Sequence, residues 1–415
     1  MELYEDRIIN GLLKANTIDV PEQATQLLAR DVVIIAPPNR ATEDDLWPAI
    51  WCLAAVLERQ FNGTISIMAG LSHPLSQPAS LTPRVSFRTD SGPSAIRIHL
   101  GTPQPLVAGS LYGDARGDTI SYGLRLDSSR PATAVACFAL SGYLACAALA
   151  LAVGIPPYRQ EFTIRSLDFG EPETLGTMQL NFVGLGHLGQ AYLALLFFLG
   201  RKLRAVPRVS LVDNGRFELP NWTTQILVEL NGKWTGTHKA EYLAQRLESW
   251  GWRAEPSVSE ISWGWRPNHS GIGIFGLDKF EVRRMAIAGG YSWIFDAGLG
   301  DSFLAPRISW HSIPADNALA RRLFPDDNTT GTTVTATTPF LTDLQNTLGG
   351  CGFLIYQQTQ ASAPCMGLVA AAFLWSEVAR HFSGIREPVQ GTATLWSPIL
   401  PPLRSVLPEL RRSGS

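Results

Sequence analysis

A glycine-rich turn between an apolar strand and an apolar helix constrains the fold of this chain more than any other feature. Residues 178–200 read MQLNFVGLGHLGQAYLALLFFLG, which places Gly184, Gly186 and Gly189 in a G-x-G-x-x-G pattern. The first glycine allows a tight turn, the second lets backbone approach a phosphate, and the third lets helix and strand pack closely. The helix N-terminus offers free N–H groups to an anion. The pattern therefore predicts a nucleotide-binding, Rossmann-like unit.

Apolar strands and helices alternate along the rest of the chain, which predicts an α/β fold with parallel sheets. Two apolar helices, at residues 132–154 and 363–382, each follow a set of strands and begin near a proline. This internal similarity predicts two Rossmann-like halves, of which only the second carries the glycine turn. Residues 299–360 are rich in Thr, Asp and Asn and are expected to be irregular.

The composition of the chain excludes several classes of protein. A hydrophobic content of 45% excludes intrinsic disorder. With 34 basic and 36 acidic residues the net charge is −2, so no overall field favours nucleic acid or an anionic membrane surface. The five cysteines form no C-x-x-C pair, which argues against a zinc tetrathiolate and a secreted disulfide framework. The charged N-terminus does not resemble a signal peptide, so a cytoplasmic protein is expected.

The uncharged run at residues 132–154 is the one segment that tests this expectation, because it is long enough to span a bilayer. It is rich in alanine and lacks a flanking cluster of Lys and Arg. These features favour a helix buried in a large core, and a membrane span is the alternative.

A series of polar residues follows the glycine turn. Asp213 ends the next strand, where a carboxylate can accept hydrogen bonds from the ribose of either NAD or ATP. Asn221 and Gln225 follow in the segment FELPNWTTQ, Lys239 ends GTHK, and Asp278 lies in GLDKF. A nicotinamide site would give no role to Lys239 and Asp278 together, whereas a triphosphate with a metal ion would use both.

In this order the residues resemble the ThiF/MoeB/HesA superfamily, the adenylating core of ubiquitin-activating enzymes. The resemblance covers roughly residues 178–385. It includes a late helix in which Pro364, Gly367 and Glu377 have the spacing of the family. Several ordered matches at family-like intervals make this resemblance more specific than the glycine turn alone.

The resemblance implies a domain organisation. Residues 1–170 would form an inactive adenylation-like Rossmann domain. Residues 171–390 would form the active adenylation domain, with a catalytic-cysteine segment at about residues 300–360. Residues 391–415 would form a C-terminal arm. The implied fold is thus α/β, with two Rossmann-like adenylation-type halves and the nucleotide site in the second.

The resemblance also implies a role for each polar residue, with ATP and Mg²⁺ as cofactors. Asp213 would hold the ribose, while Asn221 and Lys239 would reach phosphate oxygens. Gln225 would be a further nucleotide-binding residue. Asp278 would ligate Mg²⁺, which prefers carboxylate and phosphate oxygens. Each residue also has an ordinary interpretation, since Asn221 could cap a turn and Lys239 or Asp278 could be a solvated surface charge.

The chain departs from the family pattern at two positions. Thr224 stands where the family carries a loop arginine, and Lys279 stands where an asparagine follows the acidic residue. Lys279 could replace the missing cation or face solvent. Arg7, in LYEDRII, lies in a segment similar to the one from which the family supplies a phosphate-binding arginine. A helix-surface arginine is the alternative for Arg7.

Activating enzymes that proceed beyond adenylation use a cysteine thiolate to form a thioester. Cys351, in LGGCGFL, lies in the polar region where similar enzymes carry their nucleophile, and is favoured. Cys365 is the alternative, at the first turn of the late helix, and its ordinary interpretation is a buried packing residue. Cys52, Cys137 and Cys146 lie in apolar helices and are expected in the core.

The favoured function is activation of a ubiquitin-like protein with a C-terminal glycine, followed by transfer to a conjugating enzyme. The layout is similar to activating enzymes of bacterial ubiquitin-like conjugation operons, some of which are associated with antiviral defence. Neither a nucleic acid nor a membrane is expected as partner, and a homodimer is left open. The alternatives are a sulfur-carrier adenylyltransferase, an NAD(P)-dependent oxidoreductase and a catalytically inactive scaffold.

Overall fold

Two β-sheets that share the order of their first seven strands form the frame of the protein. The computed structural model describes residues 7–14, 19–88, 95–102, 110–154, 161–165, 179–201, 207–230, 232–300, 307–325, 363–395 and 403–407.

The elements of the first half are, in chain order, α1 (Arg7–Lys14), α2 (Pro21–Leu27), β1 (Val32–Ile35), α3 (Trp47–Gln60), β2 (Ile65–Met68), β3 (Val85–Phe87), β4 (Ile96–Leu100), β5 (Ser110–Arg116), β6 (Thr119–Tyr122), α4 (Ala134–Ala152) and β7 (Phe162–Arg165). Those of the second half are β8 (Gln179–Val183), α5 (His187–Gly200), β9 (Arg208–Val212), a 3₁₀ helix (Leu219–Thr223), α6 (Lys239–Ser249), β10 (Ala254–Ser257), β11 (Ile272–Phe275), α7 (Phe280–Ile287), β12 (Trp293–Leu299), β13 (Arg307–Pro314), α8 (Asn317–Leu323), α9 (Pro364–Phe382), β14 (Val389–Thr394) and β15 (Leu403–Val406).

The topology of the two sheets confirms the predicted α/β fold with two Rossmann-like halves. The first sheet has the order β3-β2-β1-β4-β5-β6-β7, and the second has the order β10-β9-β8-β11-β12-β13-β14-β15. Counted from the first strand of each half, the first seven positions coincide. The first five strands of each half run parallel, and the later strands pair antiparallel.

Helix α4 lies in the interior and packs against α3 and α9. The hydroxyl of Thr133 caps its N-terminus by accepting a hydrogen bond from the backbone N–H of Ala136. Gly142 allows close contact with α9, since a Cβ there would overlap the side chain of Val369. Of the described helices, α4 is the one long and apolar enough to cross a membrane. Yet 94% of its most apolar 18-residue stretch is buried inside the protein. The prediction of a buried core helix is therefore confirmed.

The expectation of an irregular segment at residues 299–360 is wrong for its described part, where β13 and α8 form. Strand β13 pairs with β12 on one side and β14 on the other, so most of its residues are buried. The reason is tertiary, because its mixed sequence RISWHSIP is stabilised by neighbours from distant parts of the chain. Strands β14 and β15 extend the same sheet, and the domain boundaries stay predictions.

Parallel pairing brings three segments that carry predicted site residues to one edge of the second sheet. Strands β9 and β11 both flank β8, so the chain leaves all three strands at neighbouring points. The glycine turn follows β8, Asp213 follows β9, and Asp278 lies just after β11. This edge, at the carboxyl ends of parallel strands, is where open α/β sheets bind their ligands.

Candidate active site

The three glycines of the turn meet different steric demands. Gly184 has a φ of +84°, a conformation that side chains with a Cβ rarely adopt. A Cβ on Gly189 would overlap the carbonyl oxygen of Gly184, so this glycine permits close packing of α5 on the turn. A Cβ on Gly186 would meet no atom of the described residues within 4 Å. Gly186 therefore leaves an open approach to the backbone at the start of α5.

Asp213 joins the ends of β8 and β9. One carboxylate oxygen accepts a hydrogen bond from the backbone N–H of Leu185 at 2.6 Å, and the other accepts from the N–H of Gly215 at 2.7 Å. An ionised carboxylate offers about four lone-pair sites, so two stay available after these bonds. The half-buried side chain can thus order the turn and still accept hydrogen bonds from a ligand.

Lys239 reaches the same place from the first residue of α6. Its backbone N–H donates to the carbonyl of Gly215 at 3.0 Å. A Cβ built on Gly215 would lie 2.9 Å from the Oδ1 of Asp213 and 3.5 Å from the Nζ of Lys239. The structure thus brings together the glycine turn, Asp213 and Lys239, with both charged side chains beside Gly215.

Asn221 and Gln225 lie in the loop after β9, and their side-chain carbonyls serve the protein itself. Asn221 Oδ1 accepts a hydrogen bond from the N–H of Glu218 at 3.1 Å, within a reciprocal capping box. Gln225 Oε1 accepts from Gln190 Nε2 at 2.6 Å. The hydrogen bond to Glu218 confirms the capping interpretation of Asn221. Both side chains are buried, and a contact of either residue with phosphate stays a prediction.

Gln190 is a site residue that sequence reasoning missed. Besides Gln225, its Nε2 contacts the carbonyl of Leu185 at 3.3 Å, and its Oε1 accepts from the N–H of Leu227 at 3.1 Å. The completely buried side chain therefore connects the glycine turn to the loop after β9. An amide directly after the third glycine, inside an otherwise apolar helix, is the sequence signal that could have identified it.

Asp278 is exposed just beyond β11, and a buried arginine orders the segment that carries it. Arg283 donates to the carbonyl of Leu277 from Nη2 at 2.7 Å and from Nε at 3.1 Å. Arg283 Nε also lies 3.2 Å from the Oδ1 of Asp296, a carboxylate buried on β12. Arg283 was not singled out from the sequence, although it follows Asp278 by little more than one helical turn.

The donor set at this edge suits a Mg²⁺ ion that is bound together with phosphates. No group of three or more His, Cys, Asp or Glu residues that could hold a metal occurs in the described parts of the chain. A protein cage for a metal is thus absent from those parts. Mg²⁺ often uses one or two carboxylates together with substrate phosphates, and Asp278 can supply such a carboxylate.

Four further residues from the sequence analysis are not shown to contact the glycine turn, Asp213 or Lys239. Thr224 is fully buried, and its hydroxyl has no hydrogen-bond partner among the residues that the structure describes. Lys279 is exposed at the N-cap of α7. Arg7 begins α1, and its side chain lies outside the described part of the structure. Cys351 also lies outside the described residues.

The structure does not support Cys365 as the nucleophile, and its packing interpretation is confirmed. Cys365 is completely buried, with its sulfur 2.9 Å from the sulfur of Cys146 on α4. Burial raises the pKa of the Cys146 thiol well above its ordinary value. Cys52 and Cys137 are buried as well, as expected for core residues.

The corresponding edge of the first half is filled by protein groups. Arg40, in the loop after β1, is buried and pairs with Asp45 at 2.8 Å and with Asp114 at 2.6 Å. It lies against Gly101, directly after β4, where a Cβ would overlap its guanidinium. Strands β1 and β4 correspond to β8 and β11 in the sheet order. A buried ion cluster therefore stands at the edge where the second half has the open turn at Gly186.

Comparison with known proteins places the second half in a described family. Residues 177–385 match the family described as BilD C-terminal domain. The curated Bacterial E1-like protein BilD of Collimonas sp. (strain OK412) is 27% identical over an alignment of 238 residues, and the match covers 55% of this chain and 51% of that protein. The chain thus spans about half the length of this relative.

Several solved structures are similar in part. A crystal structure of E. coli MccB with succinimide has a TM-score of 0.36 at 15% identity, covering 55% of this chain and 63% of that chain. A crystal structure of E. coli MccB with ATP has a TM-score of 0.36 at 14% identity, covering 56% and 64%. That of SeMet PaaA has a TM-score of 0.34 at 14% identity, covering 55% and 64%.

Proposed function

This chain belongs to the family of the BilD C-terminal domain, and on that premise we propose that it uses ATP to activate the C-terminal carboxylate of a ubiquitin-like protein. The proposal is carried by one observation, the meeting of the glycine turn, Asp213 and Lys239 around Gly215. An anion-binding helix start, a carboxylate acceptor and a lysine in one place are what a nucleotide with several phosphates requires.

The second half would hold the triphosphate through its backbone and one cation. Gly186 is the N-cap of α5 and makes no side-chain cap, so N–H groups in the first turn of the helix would donate to phosphate oxygens. Lys239 would add a positive charge to the same oxygens. The lone pairs of Asp213 that do not accept from Leu185 and Gly215 would accept from ribose hydroxyls.

Asp278 would hold Mg²⁺ against the phosphates, and the ion would neutralise charge on the leaving pyrophosphate. Arg283 would act through the backbone, because it holds the carbonyl of Leu277 and thereby the position of Asp278. The exposure of Asp278 fits a ligand that meets its ion only together with the nucleotide.

The proposed chemistry has two steps. In the first, an oxygen of the partner's terminal carboxylate attacks the α-phosphorus of ATP, pyrophosphate leaves, and an acyl adenylate forms. In the second, the thiolate of Cys351 attacks the acyl carbon, AMP leaves, and a thioester forms. Transfer to the cysteine of a conjugating enzyme would follow. We further propose, from the sequence resemblance, a cytoplasmic role in bacterial antiviral defence.

The proposal is tested with ATP–pyrophosphate exchange and with thioester formation on non-reducing gels. As candidate partner the assay uses a short protein with a C-terminal glycine, sought among the products of the genes that neighbour the gene of this chain. We expect Asp278→Asn to abolish exchange and Cys351→Ala to retain exchange but form no thioester. Cys365→Ala is the matched control and should retain both. Sulfur transfer by Cys351→Ala would favour a sulfur-carrier enzyme, and saturable binding of NAD instead of ATP would overturn the proposal.

A further inference from the structure

Arg59 is a buried arginine of the first half that bonds to the second half. It lies in the last turn of α3, beside Glu58, whose Oε1 accepts from its Nη1 at 2.9 Å. From its other terminal nitrogen it donates to the carbonyl of Val228 at 2.8 Å and that of Ile226 at 3.3 Å. Its guanidinium carbon lies 4.0 Å from the ring centroid of Trp222. A side chain of the first half is therefore built into the loop after β9.

Leu227 lies between the two residues whose carbonyls accept from Arg59, Ile226 and Val228, and a chain of hydrogen bonds begins at its N–H. The N–H of Leu227 donates to Gln190, and Gln190 donates to the carbonyl of Leu185 in the glycine turn. The N–H of Leu185 in turn donates to Asp213. The connection thus runs from Arg59 to the proposed ribose-binding carboxylate through backbone groups and one buried amide.

This arrangement differs from that of an arginine that binds phosphate directly. Both terminal nitrogens of Arg59 donate to oxygens of the protein, and the residue is 7% exposed. Placing a guanidinium in the interior is costly, and its pairing with Glu58 and with backbone carbonyls offsets part of that cost. A buried cation held this way restricts the loop, because moving the loop would leave the charge without partners.

We infer that Arg59 is a positioning residue through which the first half sets the geometry of the nucleotide site in the second half. It holds the loop at Ile226 and Val228, and through Gln190 it holds the glycine turn in the form that accepts ATP. The inference rests on the proposed function. It gives the first half a part in nucleotide binding even though its own sheet edge is filled by Arg40.

The test compares variants at Arg59 with a control at a second contact between the halves. Arg59→Met is made together with Glu58→Gln, so that no unpaired charge stays buried, and Arg59→Lys is the conservative variant. The control is Arg201→Met, which removes an ion pair with Glu43 that also joins the halves but is partly exposed. ATP·Mg²⁺ affinity is measured by calorimetry well below the melting temperature, and backbone hydrogen exchange is measured at Leu185 and Leu227.

We expect the double variant Arg59→Met, Glu58→Gln to weaken ATP binding at least tenfold and to speed hydrogen exchange at the amides of Leu185 and Leu227. Arg59→Lys should recover part of the affinity, and the control should stay within twofold of wild type. Gln190→Leu should weaken ATP binding to a similar degree. Adding Gln190→Leu to the double variant Arg59→Met, Glu58→Gln should reduce the ATP affinity little further. A lower melting temperature with unchanged ATP affinity and unchanged exchange at Leu185 would overturn the inference. Wild-type protein that binds no ATP would instead overturn the proposed function.

Discussion

The carboxylate of Asp213 accepts a hydrogen bond from the backbone N–H of Leu185 across 2.6 Å. One side chain at the end of β9 thereby fixes the glycine turn at the end of β8. Its other oxygen accepts from Gly215, beside the ammonium of Lys239. The carboxylate that orders the turn is therefore the one that we propose as the ribose ligand.

Asp213→Asn should weaken ATP binding about tenfold to a hundredfold, since a hydrogen bond to a charged group contributes about 1.5–3 kcal/mol. The amide keeps one acceptor oxygen and loses both the second and the charge. Asp316→Asn is the matched control, because Asp316 accepts from a backbone N–H at the start of α8, away from this turn. Affinity measured by calorimetry checks this. Equal affinities of the two variants would contradict the role of Asp213.

Alanine at Gly186 and at Gly189 should have opposite consequences. Gly186 has a negative φ of −75°, and no atom of the described part of the chain lies within 4 Å of its Cβ position, so Gly186→Ala should fold normally and obstruct phosphate. Gly189→Ala would place a methyl group on the carbonyl oxygen of Gly184, so the protein should lose stability. Thermal melts with and without ATP separate the two effects. A stable Gly189→Ala protein would show that the turn and α5 can move apart.

Arg40→Met should destabilise the protein by about 3–5 kcal/mol, because Asp45 loses its arginine and the buried Asp114 keeps only the longer contact with Arg116 at 3.7 Å. The triple variant Arg40→Met, Asp45→Asn, Asp114→Asn should be less destabilised than the single one, since no buried charge stays uncompensated. Urea unfolding of both proteins provides the measurement. A single variant as stable as wild type would mean that water reaches this edge of the first sheet.

His381 should make the fold sensitive to mild acid. Its ring lies 4.9 Å from that of Trp293 and 5.6 Å from that of Phe295, measured between centroids. Burial among these groups, and secondarily the charge of Arg386, lowers the pKa of His381 to about 4 from an ordinary 6.5. Below pH 6.5 His381 is protonated in the unfolded chain, whereas in the folded chain it stays neutral until the pH falls to about 4.

The contribution of His381 to stability is therefore complete above pH 6.5 and declines as the pH falls from 6.5 to 4. His381→Phe should show a shallower decline over this range while other acid-sensitive groups act equally in both proteins. Unfolding free energies at several pH values from 7.5 downwards, in the same buffer system, provide the comparison. Parallel curves for wild type and variant would contradict the pKa of this residue.

Local pattern was sufficient for much of the fold. The apolar runs that became β1, β8 and β11 and the helices α4 and α9 could be predicted, because periodicity and glycine position reflect interactions between near neighbours. Strand β13 could not, since its sequence is mixed and it forms only between β12 and β14.

The site divides in the same way. Sequence alone determined the glycine turn and the chain order of Asp213, Lys239 and Asp278, because a glycine turn after a strand and strand-end carboxylates are local features. Only the tertiary structure decided that Cys365 is buried against Cys146, and that Arg59 reaches the loop after β9 from the other half. The physical reason is that burial and long-range hydrogen bonds depend on which distant segments pack together, and no short segment of sequence contains that information.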